Sequence, residues 1–170
     1  MKVYQYPFFF KFIYRYGNIP VTIILLFYLI PAVINIDKNI FYIIPLIITL
    51  LLIYLINKTY LNLYKILPYK IEADDEKLVC TDFLFSKRNV TIFFKDITSL
   101  NGGIFDGKLQ GVMKIFDKNN QMTLGFFNKI KNSKQLETLI LSKVSKELYN
   151  EVVDRVGLNN KRKPDKKTDS

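Results

Sequence analysis

Two charge-free apolar stretches, residues 16–36 and 39–57, are separated only by Asp37 and Lys38, and this arrangement constrains the fold more than any other feature of the chain. Helices over 21 and 19 residues rise about 28–31 Å, the thickness of a bilayer's hydrocarbon core. Neither stretch contains Asp, Glu, Lys or Arg. So short a connection admits only an antiparallel hairpin. The chain therefore reads as an integral membrane protein with two spans and one soluble domain after them.

Of the 170 residues, about 60 go to the membrane, which leaves room for one soluble domain of about 90. The formal charge of +10 is unevenly placed. Residues 1–70 carry seven Lys/Arg against Asp37 alone, residues 71–157 thirteen against twelve Asp/Glu, and residues 158–170 five against two. The excess flanks the apolar stretches and the terminus, not the domain. That distribution argues against nucleic acid as a partner and favours membrane lipids, at about 1 kcal/mol per basic residue near an anionic surface. Lys2, Lys11, Arg15, Lys58, Lys65 and Lys70 lie outside the hairpin, whereas Lys38 alone occupies its turn. The positive-inside tendency then puts both termini in the cytoplasm, with the hairpin in the cytoplasmic (inner) membrane. A single cysteine, Cys80, allows no intramolecular disulfide, which suits a reducing compartment. The first apolar stretch is too long for a signal-peptide core and no A-x-A-like site follows it, so it reads as a retained anchor.

Residues 4–16 hold eight aromatic side chains and two cations. Residues 1–15 thus read as an interfacial segment, with rings at headgroup depth and Lys11 and Arg15 reaching phosphate; the alternative is an aromatic surface for a partner subunit. Residues 58–68 continue the second helix as a linker until Pro68 stops it. The apolar period then changes from helical to alternating, which opens a soluble domain over 69–157. Strands are expected at 69–73, 77–84, 89–94, 96–100, 112–116 and 122–127. Asp74-Asp75-Glu76, Ser86-Lys87-Arg88 and Asp117-Lys118-Asn119-Asn120 supply turns, and Gly102, Gly103, Gly107 and Gly111 mark a flexible stretch. Leu136, Ile140, Val144, Leu148, Val152 and Val156 recur every four residues, predicting one helix from an N-cap at Asn132 to Gly157 at C′. Residues 158–170 are nearly devoid of apolar side chains and read as a disordered basic tail.

This order, short strands closed by one amphipathic helix behind a membrane hairpin, resembles the bacterial pleckstrin-homology-like membrane proteins. The resemblance covers about residues 69–157, plus the anchor before them. It is carried by Arg88-Asn-Val-Thr-Ile-Phe-Phe-Lys-Asp-Ile-Thr-Ser-Leu100, the glycine-bearing loop, the hairpin Gly111-Val-Met-Lys-Ile-Phe-Asp117 and the closing helix. It implies an α+β fold: a two-helix transmembrane hairpin followed by a bent antiparallel sheet capped by a C-terminal helix. Related domains in eukaryotes often bind phosphoinositides through basic residues in the first strand pair. By the same resemblance the matching turn here is Asp74-Asp75-Glu76-Lys77, whose charge repels such a headgroup.

Catalytic chemistry is poorly represented. The chain has no histidine, the commonest general base and metal ligand. Cys80 falls in an expected strand, where a small buried hydrophobe is its ordinary role. Asp74-Asp75-Glu76 reads as a solvated turn, and the Gly107-Lys108 pair lacks the P-loop spacing. No enzyme activity, cofactor or metal is expected. The spans carry no buried charge to form an ion path. The expectation is a membrane-anchored interaction module that docks a protein partner; the alternative is a small structural subunit of a larger membrane complex. Candidate membrane or partner contacts are Lys11, Arg15, Lys87, Arg88, Lys161, Arg162 and Lys163. Orientation is directly testable: a reporter fused after Ser170 that works only outside the cytoplasm stays silent. Signal from that fusion reverses the topology.

Overall fold

The computed structural model describes residues 1–161, which divide into two compact units: Phe8–Lys65, and Met1–Pro7 together with the chain from Ile66 onward. The division does not follow the chain. A stretch at the extreme N-terminus belongs with the domain that follows the hairpin.

The first unit is helical. Helix α1 (Phe8–Tyr16) exposes Phe8, Phe9, Phe12 and Tyr16, so its aromatic rings line its outer surface. Helices α2 (Asn18–Asn35) and α3 (Ile43–Ile66) are joined through a 3-10 turn at Ile40–Tyr42, where the Asn39 side chain accepts from the Phe41 N–H. Both α2 and α3, the latter with its preceding turn, are long and apolar enough to cross a membrane. In each, only 6 % of the apolar window is buried, unlike the core helix of a soluble protein. Polar groups fasten the open end of the pair. Asn18 Nδ2 donates to Asn57 Oδ1 at 2.8 Å, and Asn57 Nδ2 donates to Thr22 Oγ1 at 2.9 Å. The Tyr64 hydroxyl bonds both Asn18 Oδ1 and the Arg15 carbonyl. Gly17 sits where a Cβ would lie 2.5 Å from the Tyr60 hydroxyl, so a larger residue would push this end apart.

The second unit is built on two antiparallel sheets. Strands β1 (Lys2–Gln5), β2 (Pro68–Ala73), β3 (Lys77–Phe83) and β4 (Val90–Phe93) form one in sequential order; β5 (Ile97–Asn101), β6 (Val112–Asp117) and β7 (Met122–Phe127) form the other. The protein is therefore α+β: two long apolar helices, two antiparallel sheets and C-terminal helices. Pro68 is tolerated as the first residue of its strand. Alternation places Ile71, Ala73, Leu78, Cys80, Val90 and Ile92 inside along the first sheet, and Met113, Ile115, Leu124 and Phe126 inside along the second.

Several sequence expectations change. Residues 2–5 are not interfacial: Lys2 pairs with Ala73 and Gln5 with Lys70 across an antiparallel ladder, and Tyr4 and Tyr6 are buried at 2 % and 5 % exposure. The aromatic segment is thus split, with Tyr4 and Tyr6 in the domain core and the rings from Phe8 onward in α1. The closing helix is two helices, α4 (Ser133–Lys143) and α5 (Lys146–Lys161). Side chains four apart advance about 40° per step around a straight helix, so six of them sweep about 200° and cannot share one face. The break at Val144, which is extended, resets the phase, and the Ser145 hydroxyl accepts from the Leu148 N–H to start α5. Asn132 is left-handed at φ 58° and makes no side-chain cap bond, and Gly157 lies inside α5, which carries residues 158–161 into helix.

The segment ahead of the hairpin also joins the two sheets. The Tyr6 hydroxyl accepts from the Phe127 N–H at 2.7 Å, and the Gln5 carbonyl accepts from the Lys131 N–H at 2.9 Å. The Tyr6 and Tyr69 rings meet edge to face at 6.1 Å. Removing Tyr4 or Tyr6 is therefore a core truncation, expected to cost about 3 kcal/mol or more. A chain in which residues 8–65 are replaced by a short Asn-Gly turn should unfold cooperatively with protected amides in β1–β3. A fragment spanning 69–157 should not, and Ile92→Asp in the replaced chain should cost about 3 kcal/mol or more. Equal stability of the fragment and the replaced chain would show that β1 contributes nothing.

Candidate functional site

A groove of about 420 Å³ lies between the glycine loop and the C-terminal helices. Its loop side comes from the 3-10 turn Gly103–Asp106 and the residues that follow it, namely Ile104, Gly107, Lys108 and Leu109. Its opposite side is Ser133, Lys134 and Glu137 of α4 with Val156 of α5, and Met113 of β6 adds a buried apolar surface.

Local chemistry forces the loop into this position. Gly102 and Gly103 have φ of +77° and +49°; a Cβ on the first would overlap the Val112 carbonyl oxygen, and one on the second would lie 2.7 Å from the Met113 Cγ. Asn128 Nδ2 holds the Leu109 carbonyl at 2.9 Å. From α5, Arg155 Nη1 donates to the Leu100 carbonyl at 2.8 Å and to Asp106 Oδ1 at 3.0 Å, while Asn159 Nδ2 donates to the Asp106 carbonyl. The Asp106 carboxylate, ahead of Glu151, holds the Arg155 guanidinium above its ordinary pKa. So anchored, the loop exposes Leu109 at 84 %, with Ile104 beside the same groove and also exposed.

The groove's one carboxyl is recessed. Glu137 is 5 % exposed, and burial pushes its pKa up against the opposing effects of the Ser133 hydrogen bond and the nearby Lys134. Lys108 and Lys134 are exposed on the lining. The arrangement can hold an aliphatic or aromatic group, with one hydrogen-bonding carboxyl at depth and two cations at the mouth. Among the described residues no group of three His, Cys, Asp or Glu is placed to hold a metal ion. Cys80 lies elsewhere, fully buried in β3, where burial pushes its thiol up to about 12.

The cations singled out from the sequence do not converge on this groove. Lys11 and Arg15 lie on α1. Lys87 is exposed in the β3–β4 turn, and the Arg88 guanidinium stacks on the Phe83 ring at 4.2 Å from its centroid. Arg162 and Lys163 lie outside the described residues, as does the side chain of Lys161. The acidic turn joins β2 to β3, the two strands expected on either side of it, with Asp74 accepting from the Glu76 and Lys77 N–H groups, which lowers its pKa. Because β1 precedes these strands and connects to β2 through the apolar helices, the turn does not belong to the first strand pair. The glycines marked the loop, but neither Lys108 nor Glu137 was among the candidate contacts: the Gly107-Lys108 pair lacks the P-loop spacing, and an isolated acid in a helix usually faces water. No family model matches the chain, and no curated protein or solved structure matches it.

Glu137 gives the groove a pH signature. A carboxyl whose pKa is raised on folding adds stability below its unfolded value, and that contribution is lost as pH rises through its folded value. In detergent-solubilised full-length protein, protection of α4 amides should therefore fall as pH climbs out of the ordinary carboxylate range. Glu137→Gln should flatten that slope and raise protection at neutral pH; an unchanged slope would show that Glu137 is solvated.

Proposed function

We propose that this chain is a non-enzymatic, membrane-anchored interaction module whose cytoplasmic, pleckstrin-homology-like domain docks a protein partner. Four strands, then three, then a helical closure fit the resemblance read from the sequence. The basic flanks of the hairpin support an inner-membrane location with both ends in the cytoplasm. The observation that carries the reading is the anchored glycine loop, which holds Leu109 out into solvent beside an apolar groove. An exposed apolar side chain beside a concave, partly apolar surface offers a partner both a contact and a pocket. The partner chemistry that fits is a short segment placing an apolar side chain between Leu109 and Val156.

The test is capture from the native membrane in mild detergent, comparing full-length wild type with Leu109→Glu. Losing one buried anchor at about 1.4 kcal/mol or more reduces capture about tenfold. Retention by Leu109→Glu together with loss when the hairpin is exchanged for an unrelated one would overturn groove docking in favour of a small structural subunit.

A further inference from the structure

The β3–β4 turn carries a second surface, distinct from the groove. Strand register fixes its place. Gln5 lies opposite Lys70, and Pro68 opposite Phe83, so the end of β1, the start of β2 and the end of β3 share one edge of the sheet. That edge carries both connections to the helical hairpin. Only Tyr6 and Pro7 separate β1 from α1, and only Leu67 separates α3 from β2. The turn after β3, residues 84–88, therefore leaves the domain at the edge through which the chain goes to and returns from its apolar helices. Two strand spacings, about 10 Å, separate it laterally from β1.

The turn's composition fits that position. A bridge between Phe83 and Ser86 closes it tightly, and Phe85 is held at φ +60° with 85 % of its surface exposed. A bulky side chain in the left-handed region carries a steric cost, and a phenyl ring in water adds an unfavourable hydration term. Burial within the domain covers little of the ring. Lys87 stands close by in solvent, and Arg88 is fixed over Phe83. Asp82, at φ +59°, is the single acid within the segment 82–88, against these two cations.

We propose that this turn is a bilayer-contacting element: Phe85 enters the headgroup–acyl boundary, and Lys87 and Arg88 face anionic headgroups. The occupant is a lipid surface rather than a protein, because the same sheet edge is tethered on both strands to apolar helices and an aromatic ring flanked by cations suits the interfacial zone. No single phosphorylated headgroup is recognised. The contact does not depend on the groove.

The chain has no tryptophan, so one substitution creates a unique fluorophore. Full-length Phe85→Trp is reconstituted into nanodiscs containing about 30 % anionic phosphatidylglycerol, with quenchers attached at known acyl depths. The expected result is blue-shifted emission quenched most by shallow labels, weakened about twofold or more when Lys87→Glu is added or when all lipid is zwitterionic. Phe93→Trp is the comparison: Phe93 pairs with Lys77 at the opposite edge of the sheet, so its emission should stay unquenched by lipid labels. Water-like, unquenched emission from the Phe85→Trp protein overturns the proposal. So does blue-shifted emission that lipid labels at no depth quench, which would assign the turn to a protein contact.

Discussion

The ladder between β1 and β2 is the interaction on which the rest depends, because it ties the start of the chain to the domain that follows the helices. Two strands adjacent in space, Lys2–Gln5 and Pro68–Ala73, are separated in sequence by the entire helical unit. The ladder brings Tyr4 and Tyr6 into the core and presents the Tyr6 hydroxyl and Gln5 carbonyl to backbone donors at the end of β7 and beyond it. Without it, β2 becomes an open edge, and the second sheet loses two of its ties to the first. The Phe127 and Lys131 amides donate to these two acceptors, and hydrogen bonds of this kind contribute about 1 kcal/mol each.

The groove depends on a different device. The glycine loop shapes its own 3-10 turn, with the Phe105, Gly107 and Lys108 N–H groups donating to the Gly102, Ile104 and Gly103 carbonyls, but its glycines leave the rest of the loop permissive. Its placement comes from outside, through the Arg155 and Asn159 side chains on α5 and through Asn128 after β7. The Arg155–Asp106 pair is partly solvated, so its contribution to stability is about 1 kcal/mol or less. Its importance is positional: it decides where Leu109 stands. Helix α5 thus fastens the loop while Val156 on the same helix lines the groove, so movement of the helix alters both together.

Much of this architecture was legible in the chain. Charge-free length marked the two long apolar helices, and alternation located β2 to β7 within a residue or two, most clearly in β3 and β4, where buried and more exposed positions alternate. Two features were not. Lys2-Val3-Tyr4-Gln5-Tyr6 alternates as a strand does, but its five residues abut a run of aromatics whose interfacial character masks the shorter period. Its partner lies beyond the hairpin, and local pattern says nothing of distant pairing. The four-residue repeat in the C-terminal region looked like one stripe; its drift on a straight helix is the reason it bends. The loop's glycines read only as a flexible stretch, while the burial of Glu137 depends on tertiary packing and leaves no mark on local sequence.

The nesting of the helices between β1 and β2 also sets an order of events in time. The first strand leaves the ribosome well before the second, and at about 5–20 residues per second the gap is several seconds. Closing a free loop of about 60 residues, rather than one of about six, raises the entropic cost of the ladder by about 2 kcal/mol. Pairing of α2 with α3, fastened by Asn18, Asn57 and Thr22, shortens that effective loop by bringing its two ends together. Assembly of the domain is therefore slow until the helices have met and quick afterwards, so a chain whose helices fail to pair keeps β1 unpaired and open to recognition by quality control.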